Sequence, residues 1–321
     1  MTHILVAGRL HHAGVELLKS ASGITFKLID EISLDSYAPH VGEADAILLR
    51  TQPLTAELVA QAPKLKIVSR HGVGYDAVDV KALTARNIPL AIVGDVNSRA
   101  VAEHTLMLML SAARRTVAHD HAARSGDWNI RNAFETTELD AKHLLLLGLG
   151  RIGRRVAQLA QAFGMRVTAY DPFVTREAME SLGVANAATI HEALPLADYI
   201  SLHVPLSPKG PVIGPSELAL MKPSAIIVNA ARGGLVDEMA LDQALRQGRL
   251  AAAALDVLAE EPPASSHPLL SNPKVTISPH SAGLTAECAA RMAISSVQNI
   301  LDFFEGRLSP TLIVNASDLT L

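Results

Sequence analysis

Leu144-Leu145-Leu146-Leu147-Gly148-Leu149-Gly150-Arg151-Ile152-Gly153, followed by the helical run Arg154 to Phe163, decides how this chain folds. The leucine run reads as a strand buried on both faces, and the segment after the glycines reads as a helix. Between them, Gly-x-Gly-x-x-Gly has the context a dinucleotide-binding turn requires. Gly148 permits the tight turn, Gly150 lets a pyrophosphate approach the backbone, and Gly153 lets the helix pack closely on the strand. The helix N-terminus adds free N–H groups and a partial positive charge for the phosphates. The next strand ends at Tyr170-Asp171-Pro172. An acidic residue there accepts from ribose hydroxyls and repels a 2′-phosphate, which favours NAD over NADP. Arg176 pulls the other way, since a nearby arginine can host that phosphate.

Outward from this motif, short apolar runs alternate with helical segments, the pattern of parallel sheets covered on both faces. Towards the N-terminus the expected strands are Ile4–Ala7, Phe26–Ile29, Ala46–Leu49, Lys66–Ser69 and Leu90–Val93, with helices such as Ala13–Ser20 and Thr55–Ala60 between them. One long helix is expected from Ser98 to Ser125. The second series comprises His143–Leu147, Arg166–Tyr170, Tyr199–His203, Ala225–Asn229, Ala252–Asp256 and Val275–Ser278, with a closing helix from Thr285 to Glu305. The fold class is α/β, with two doubly wound parallel-sheet domains.

Composition excludes several classes of function. The chain has 321 residues, more than one core usually supports, with 49% apolar and 19% charged residues and a net charge of −4. With no basic block, neither nucleic acid nor an anionic membrane is an expected partner. The most apolar stretch, Leu106 to Ala113, is too short to span a bilayer and is flanked by charge. No secretion signal is evident at Met1-Thr2-His3, and the single cysteine, Cys288, suits a reducing cytoplasmic setting.

Three further features lie at expected strand ends, the edge where open α/β sheets bind ligands. In Val228-Asn229-Ala230-Ala231-Arg232-Gly233-Gly234, two glycines leave room for the Arg232 fork, which matches a carboxylate. In Ala254-Leu255-Asp256-Val257, Asp256 can bond a nicotinamide carboxamide. In the following Glu260-Glu261-Pro262-Pro263, a carboxylate can orient a base, and a solvated turn is the plain alternative. In Ile277-Ser278-Pro279-His280-Ser281-Ala282-Gly283, His280 is placed for proton transfer, as imidazole titrates near neutral pH.

From Arg70 to Gly283 the chain resembles the D-isomer-specific 2-hydroxyacid dehydrogenase family, which includes 3-phosphoglycerate dehydrogenase, hydroxypyruvate/glyoxylate reductase and D-lactate dehydrogenase. The resemblance is carried by Arg70-His71-Gly72-Val73-Gly74-Tyr75-Asp76, Val101-Ala102-Glu103-His104, Gly148 to Gly153, Asn229 to Gly234, Leu255 to Pro262, and Pro279-His280. It implies that Arg232, Glu261 and His280 are catalytic, with Glu261 rather than Glu260 before the proline. It implies a flavodoxin-like substrate domain from segments 1–98 and 285–321, into which a Rossmann NAD domain, 99–284, is inserted. Val73, Gly148, Gly150, Arg151, Ile152, Gly153, Asp171, His203, Val204, Pro205, Ala230, Ala231, Asp256 and Gly283 would line the NAD site. Arg50, Val73, Gly74 and Arg232 would hold the substrate.

The implied reaction is reversible hydride transfer between NADH and a small 2-oxo acid: hydroxypyruvate, glyoxylate or 3-phosphohydroxypyruvate. The alternatives are a short 3-phosphoglycerate dehydrogenase without a regulatory domain, and a non-catalytic NAD-sensing protein similar to the C-terminal-binding co-repressors. Formate dehydrogenase shares the glycine loop but has glutamine where Glu261 stands. The family also implies a homodimer through the NAD domains, to which Gly126-Asp127-Trp128 can contribute. No metal is expected, since the histidines lack ligand spacing such as His-Glu-x-x-His.

Overall fold

Alternate residues of a buried strand point to opposite faces, so a parallel strand roofed on both sides must be apolar at every position. The computed structural model, which describes residues 1–31, 33–207 and 209–320, shows this along β6 (His143–Leu147). Leu144 and Leu146 enter one core cluster while Leu145 and Leu147 enter another. All four are almost fully buried, each worth about 1.5–3 kcal/mol of transfer free energy. The same division holds in β1 (Thr2–Ala7), where Ile4 and Val6 face one cluster and Leu5 and Ala7 the other.

The chain divides into two compact units, residues 1–97 with 284–321, and residues 98–283. In the first unit β1, β2 (Ile24–Ile29), β3 (Ala46–Leu49), β4 (Ile67–Arg70) and β5 (Leu90–Ala91) form a parallel sheet ordered β2-β1-β3-β4-β5. That is the flavodoxin-like order. The helix Ala286–Phe304 returns to this unit, its Ala293, Val297 and Ile300 packing with Ile4, Val6, Leu48 and Ile67.

In the second unit, β6 is joined by β7 (Arg166–Tyr170), β8 (Ala185–Asn186), β9 (Tyr199–Leu202), β10 (Ile226–Asn229), β11 (Ala252–Leu255) and β12 (Val275–Ile277). The strand order, β12-β11-β10-β9-β6-β7-β8, reverses direction between β6 and β9. Such a switch point is where a doubly wound sheet opens a crevice for ligands. Leu147 pairs with Tyr170 on one side and Leu202 on the other, so the turn after β6 starts between the ends of β7 and β9.

The structure departs from the sequence reading at two places. The helix foreseen from Ser98 to Ser125 is two helices, Ser98–Arg114 and Thr116–Arg124, broken at Arg115 with φ 48°. Residues remote in sequence impose the break: Thr137 N–H bonds the Ala113 carbonyl, and Arg115 pairs with Glu135. Strand β8 was not foreseen, because its two exposed residues carry no apolar signal. Among the described residues, no helix is long and apolar enough to cross a membrane.

Candidate active site

The turn after β6 is shaped by its glycines. Gly148 has φ +99°, and a β-carbon there would stand 2.6 Å from the His203 carbonyl oxygen. A β-carbon on Gly153 would stand 2.3 Å from the Gly148 carbonyl oxygen, so the helix Arg151–Ala162 can sit against the strand end only without one. Gly150 is different, since a β-carbon built there meets nothing within 4 Å. It is also the N-cap and has no side chain to satisfy the first-turn N–H groups. The turn is therefore a backbone cradle with donors at its rim, which fits a pyrophosphate.

Asp171 follows β7. Its Oδ2 accepts the Leu149 N–H at 2.8 Å and its Oδ1 the Phe173 N–H at 2.9 Å. The carboxylate thus braces the glycine turn from the end of β7. Arg176 is exposed and bonded to Glu180 at 2.7 Å. Arg151 and Ile152 open the helix, and Val204 and Pro205 follow β9. The His203 ring turns inward, to Ser201 Oγ at 2.9 Å. Burial pushes its pKa down to about 4, so it is neutral at physiological pH.

The loops after β10, β11 and β12 carry Arg232, Glu261 and His280. Asn229 shapes the first loop, its Oδ1 accepting the Ala231 N–H and its Nδ2 donating to the Arg232 carbonyl at 2.8 Å. Ala230 is buried directly behind this loop. A β-carbon on Gly233 would collide with the Leu258 carbonyl at 1.8 Å, so the Arg232 loop lies directly against the segment leading to Glu261. Glu261 Oε1 accepts the Leu258 N–H at 3.0 Å, and Oε2 meets His280 Nδ1 at 2.6 Å. Glu261, not Glu260, meets the histidine.

Burial alone would raise the Glu261 carboxyl, but the His280 ring and the Leu258 N–H outweigh it and hold the group below its usual value. Ionised at neutral pH, it can only accept, so Nδ1 of His280 carries the proton of their bond. Nε2 is then the atom that can exchange a proton with a bound molecule. Both side chains are partly exposed, so a small molecule could reach them.

Asp256 has a task that its sequence reading did not include. It is only 1% exposed and serves its own loop. Oδ1 accepts Ser278 Oγ at 2.5 Å and the Ser281 N–H at 2.9 Å, and Oδ2 accepts the Ala282 N–H at 2.9 Å. Gly283 follows this clamp. Burial raises the Asp256 carboxyl, yet His104, Ser278 and the two N–H groups bring it below the ordinary carboxylate value.

Arg50, Val73 and Gly74 lie in the first unit, after β3 and β4 at the carboxyl edge of that sheet. Three other residues escaped sequence reasoning. Glu238 Oε1 accepts the Ala259 N–H at 2.6 Å and its Oε2 meets His267 Nε2 at 3.0 Å, steadying the Glu261 loop. His104 reaches Ser278 Oγ at 2.9 Å. Glu238 and His267 carry no local signal; His104 is marked only by its place in Val101-Ala102-Glu103-His104.

Residues 106–282 match the family model for the D-isomer specific 2-hydroxyacid dehydrogenase, NAD binding domain. The chain is 38% identical over 315 residues to a D-3-phosphoglycerate dehydrogenase of Methanocaldococcus jannaschii, covering 98% of this chain but only 59% of that protein's length. It is 39% identical over 314 residues to a glyoxylate reductase of Aeropyrum pernix, covering 93% of each. Among solved structures, a D-lactate dehydrogenase from Aquifex aeolicus complexed with NAD and lactic acid is similar with a TM-score of 0.86. It is 26% identical, with 97% of this chain and 98% of that one covered.

Proposed function

The chain belongs to the D-isomer specific 2-hydroxyacid dehydrogenase family, and from that premise we propose that it is an NAD-dependent reductase of small 2-oxo acids, acting reversibly. The Glu261–His280 couple at 2.6 Å, on the sheet edge that carries the glycine cradle, is the observation that supports this reading most directly. The cofactor, when bound, supplies or accepts the hydride.

The chain's own residues do the rest. Gly148, Gly150, Arg151, Ile152 and Gly153 would hold the pyrophosphate, and Asp171 the ribose. Val204, Pro205, Ala230, Ala231 and Gly283 would line the remainder, and Oδ2 of Asp256 would accept from the carboxamide. His280 Nε2 would protonate the carbonyl oxygen as it gains charge, with Glu261 stabilising the imidazolium and fixing its tautomer. Arg232 would clamp the substrate carboxylate and stabilise the developing charge. Val73 and Gly74 would offer N–H groups to that carboxylate, and Arg50 a cation to a second acidic group.

The substrate is hydroxypyruvate or glyoxylate, and 3-phosphohydroxypyruvate is a second reading favoured by Arg50 at the end of β3. The protein works in the cytosol as a homodimer. Support for the dimer comes from Met107, Val117, Trp128, Phe134 and Phe163, large apolar side chains exposed on the second unit. Sedimentation at micromolar concentration showing only monomer would end that part.

Following NADH loss with a panel of 2-oxo acids tests the function, with NADPH as the comparison. Turnover is expected with hydroxypyruvate or glyoxylate, and more efficiently with NADH. Tight NADH binding with no turnover on any acid would point instead to an NAD-sensing protein.

A further inference from the structure

His280 occupies a left-handed backbone conformation, φ 51°, which residues bearing a β-carbon adopt only when their surroundings impose it. Asp256 imposes it. Its main-chain carbonyl accepts the His280 N–H at 2.7 Å. Its carboxylate takes the next two N–H groups, of Ser281 and Ala282. The orientation of the His280 ring thus depends on one buried carboxylate staying where it is.

What holds that carboxylate from behind comes from another element. His104, on the helix Ser98–Arg114, places Nε2 2.9 Å from Ser278 Oγ and 3.3 Å from Asp256 Oδ1. Donor chemistry decides which nitrogen carries hydrogen. Ser278 has one hydroxyl proton, and at 2.5 Å from an ionised carboxylate it goes to Asp256. The serine oxygen can then only accept from His104, so Nε2 is the protonated nitrogen. The His104 side chain is 17% exposed and that of Asp256 fully buried, so water does not readily replace this donor.

We propose that His104 is a positioning residue for His280, donating from Nε2 to Ser278 and Asp256 and thereby fixing the carboxylate on which the backbone of 280–282 is hung. The inference rests on the proposed function for its consequence in turnover, but its geometry can be tested separately.

Glutamine can bring an amide N–H close to where Nε2 stands, whereas asparagine reaches only to the position of Nδ1. His104→Ala and His104→Asn should lower kcat about 10- to 100-fold, the range expected when a reacting group is displaced. KM for NADH should rise by much less than kcat falls in both, because the pyrophosphate and ribose contacts are left in place. His104→Gln should recover most of the loss. Ser278→Ala should fall in the same range, and the double variant His104→Ala/Ser278→Ala should be little worse than either single one.

Imidazole ¹H–¹⁵N spectra give a readout without turnover. They should show His104 protonated on Nε2, and His280 signals displaced in His104→Ala but restored in His104→Gln. Melting curves separate misfolding from misplacement. The proposal is overturned by full kcat in a folded His104→Ala protein, by asparagine rescuing as well as glutamine, or by a loss confined to KM. An inactive wild-type protein would remove the proposed function instead. The spectra would then decide, with Nδ1 protonation of His104 or an unmoved His280 overturning the present proposal.

Discussion

The first strand–helix turn uses glycine at matching places in the two units, and the N-cap separates a structural turn from a binding one. Gly8 follows β1 with φ +104°, and Gly148 follows β6 with φ +99°. At both, a β-carbon would stand under 3 Å from the residue that follows a neighbouring strand, Arg50 after β3 and His203 after β9. Each turn leads to a helix with glycine in third place, Gly14 in His12–Ser20 and Gly153 in Arg151–Ala162. The helices differ at their N-caps. His11 Nδ1 accepts the Ala13 N–H at 3.2 Å, closing the first helix with its own side chain. Gly150 can do nothing of the kind and leaves those donors to a ligand. Two related turns thus differ in the donors they leave open, one helix start being capped by a side chain and the other not.

Chemistry confined to the second unit gives the sharpest way to break this comparison. His280→Ala should lower kcat by about 10²–10⁴-fold, the usual contribution of a general acid. Steady-state rates within tenfold of wild type would take proton transfer away from that unit.

A feature the units share comes next. His71 lies one residue past β4 and His203 one past β9, and each has a buried ring nitrogen that lacks a hydrogen bond. Burial, aided at His71 by Arg50 and Arg70, pushes each down to about 4. Below about pH 6.5 the unfolded chain takes up protons that the folded one refuses until near pH 4. Stability is therefore complete above that window and lost as pH falls through it, by roughly 3 kcal/mol per histidine. Denaturant melts from pH 7 to 4 should show the fall, and His71→Leu or His203→Leu should each flatten it. An unchanged slope in both variants would refute the assignment.

The third-place glycines should separate the units again. Gly153→Ala drives a β-carbon into a backbone carbonyl and should cost about 1–3 kcal/mol of stability. Gly14→Ala meets the side chains of Leu10 and Ala293 instead and should cost less, because side chains yield more readily than backbone. Equal losses in chemical unfolding would erase the distinction.

The smallest effect is at the cap itself. His11→Ala should cost about 1 kcal/mol, as loss of a helix cap does, and leave NADH affinity unchanged. A weakened affinity in equilibrium titration would mean that the first turn, too, belongs to the site.

Much of the fold was legible because its causes are local. A run such as Leu144–Leu147 has no stable place except between two covered faces, and glycines at 148, 150 and 153 suit few turns besides this one. The strand ends followed directly, and with them the edge where Arg232, Glu261 and His280 sit. Residue types were legible there; their partners were not. The sequence offered Glu260 and Glu261 side by side, and only the Leu258 N–H and the path of the loop show which one turns towards His280.

Asp256 shows the limit most clearly. Its place after β11 suggested a hand extended to the cofactor, but nothing local showed that the same carboxylate anchors the next loop. His104 and Ser278 are 174 positions apart, and Thr137 breaks a helix that its own residues would have continued. Backbone stereochemistry and face-by-face burial act over a few residues and are written in the chain. Hydrogen bonds between distant loops depend on the direction of a side chain after packing, and that direction exists only once the sheet and the helices upon it have formed.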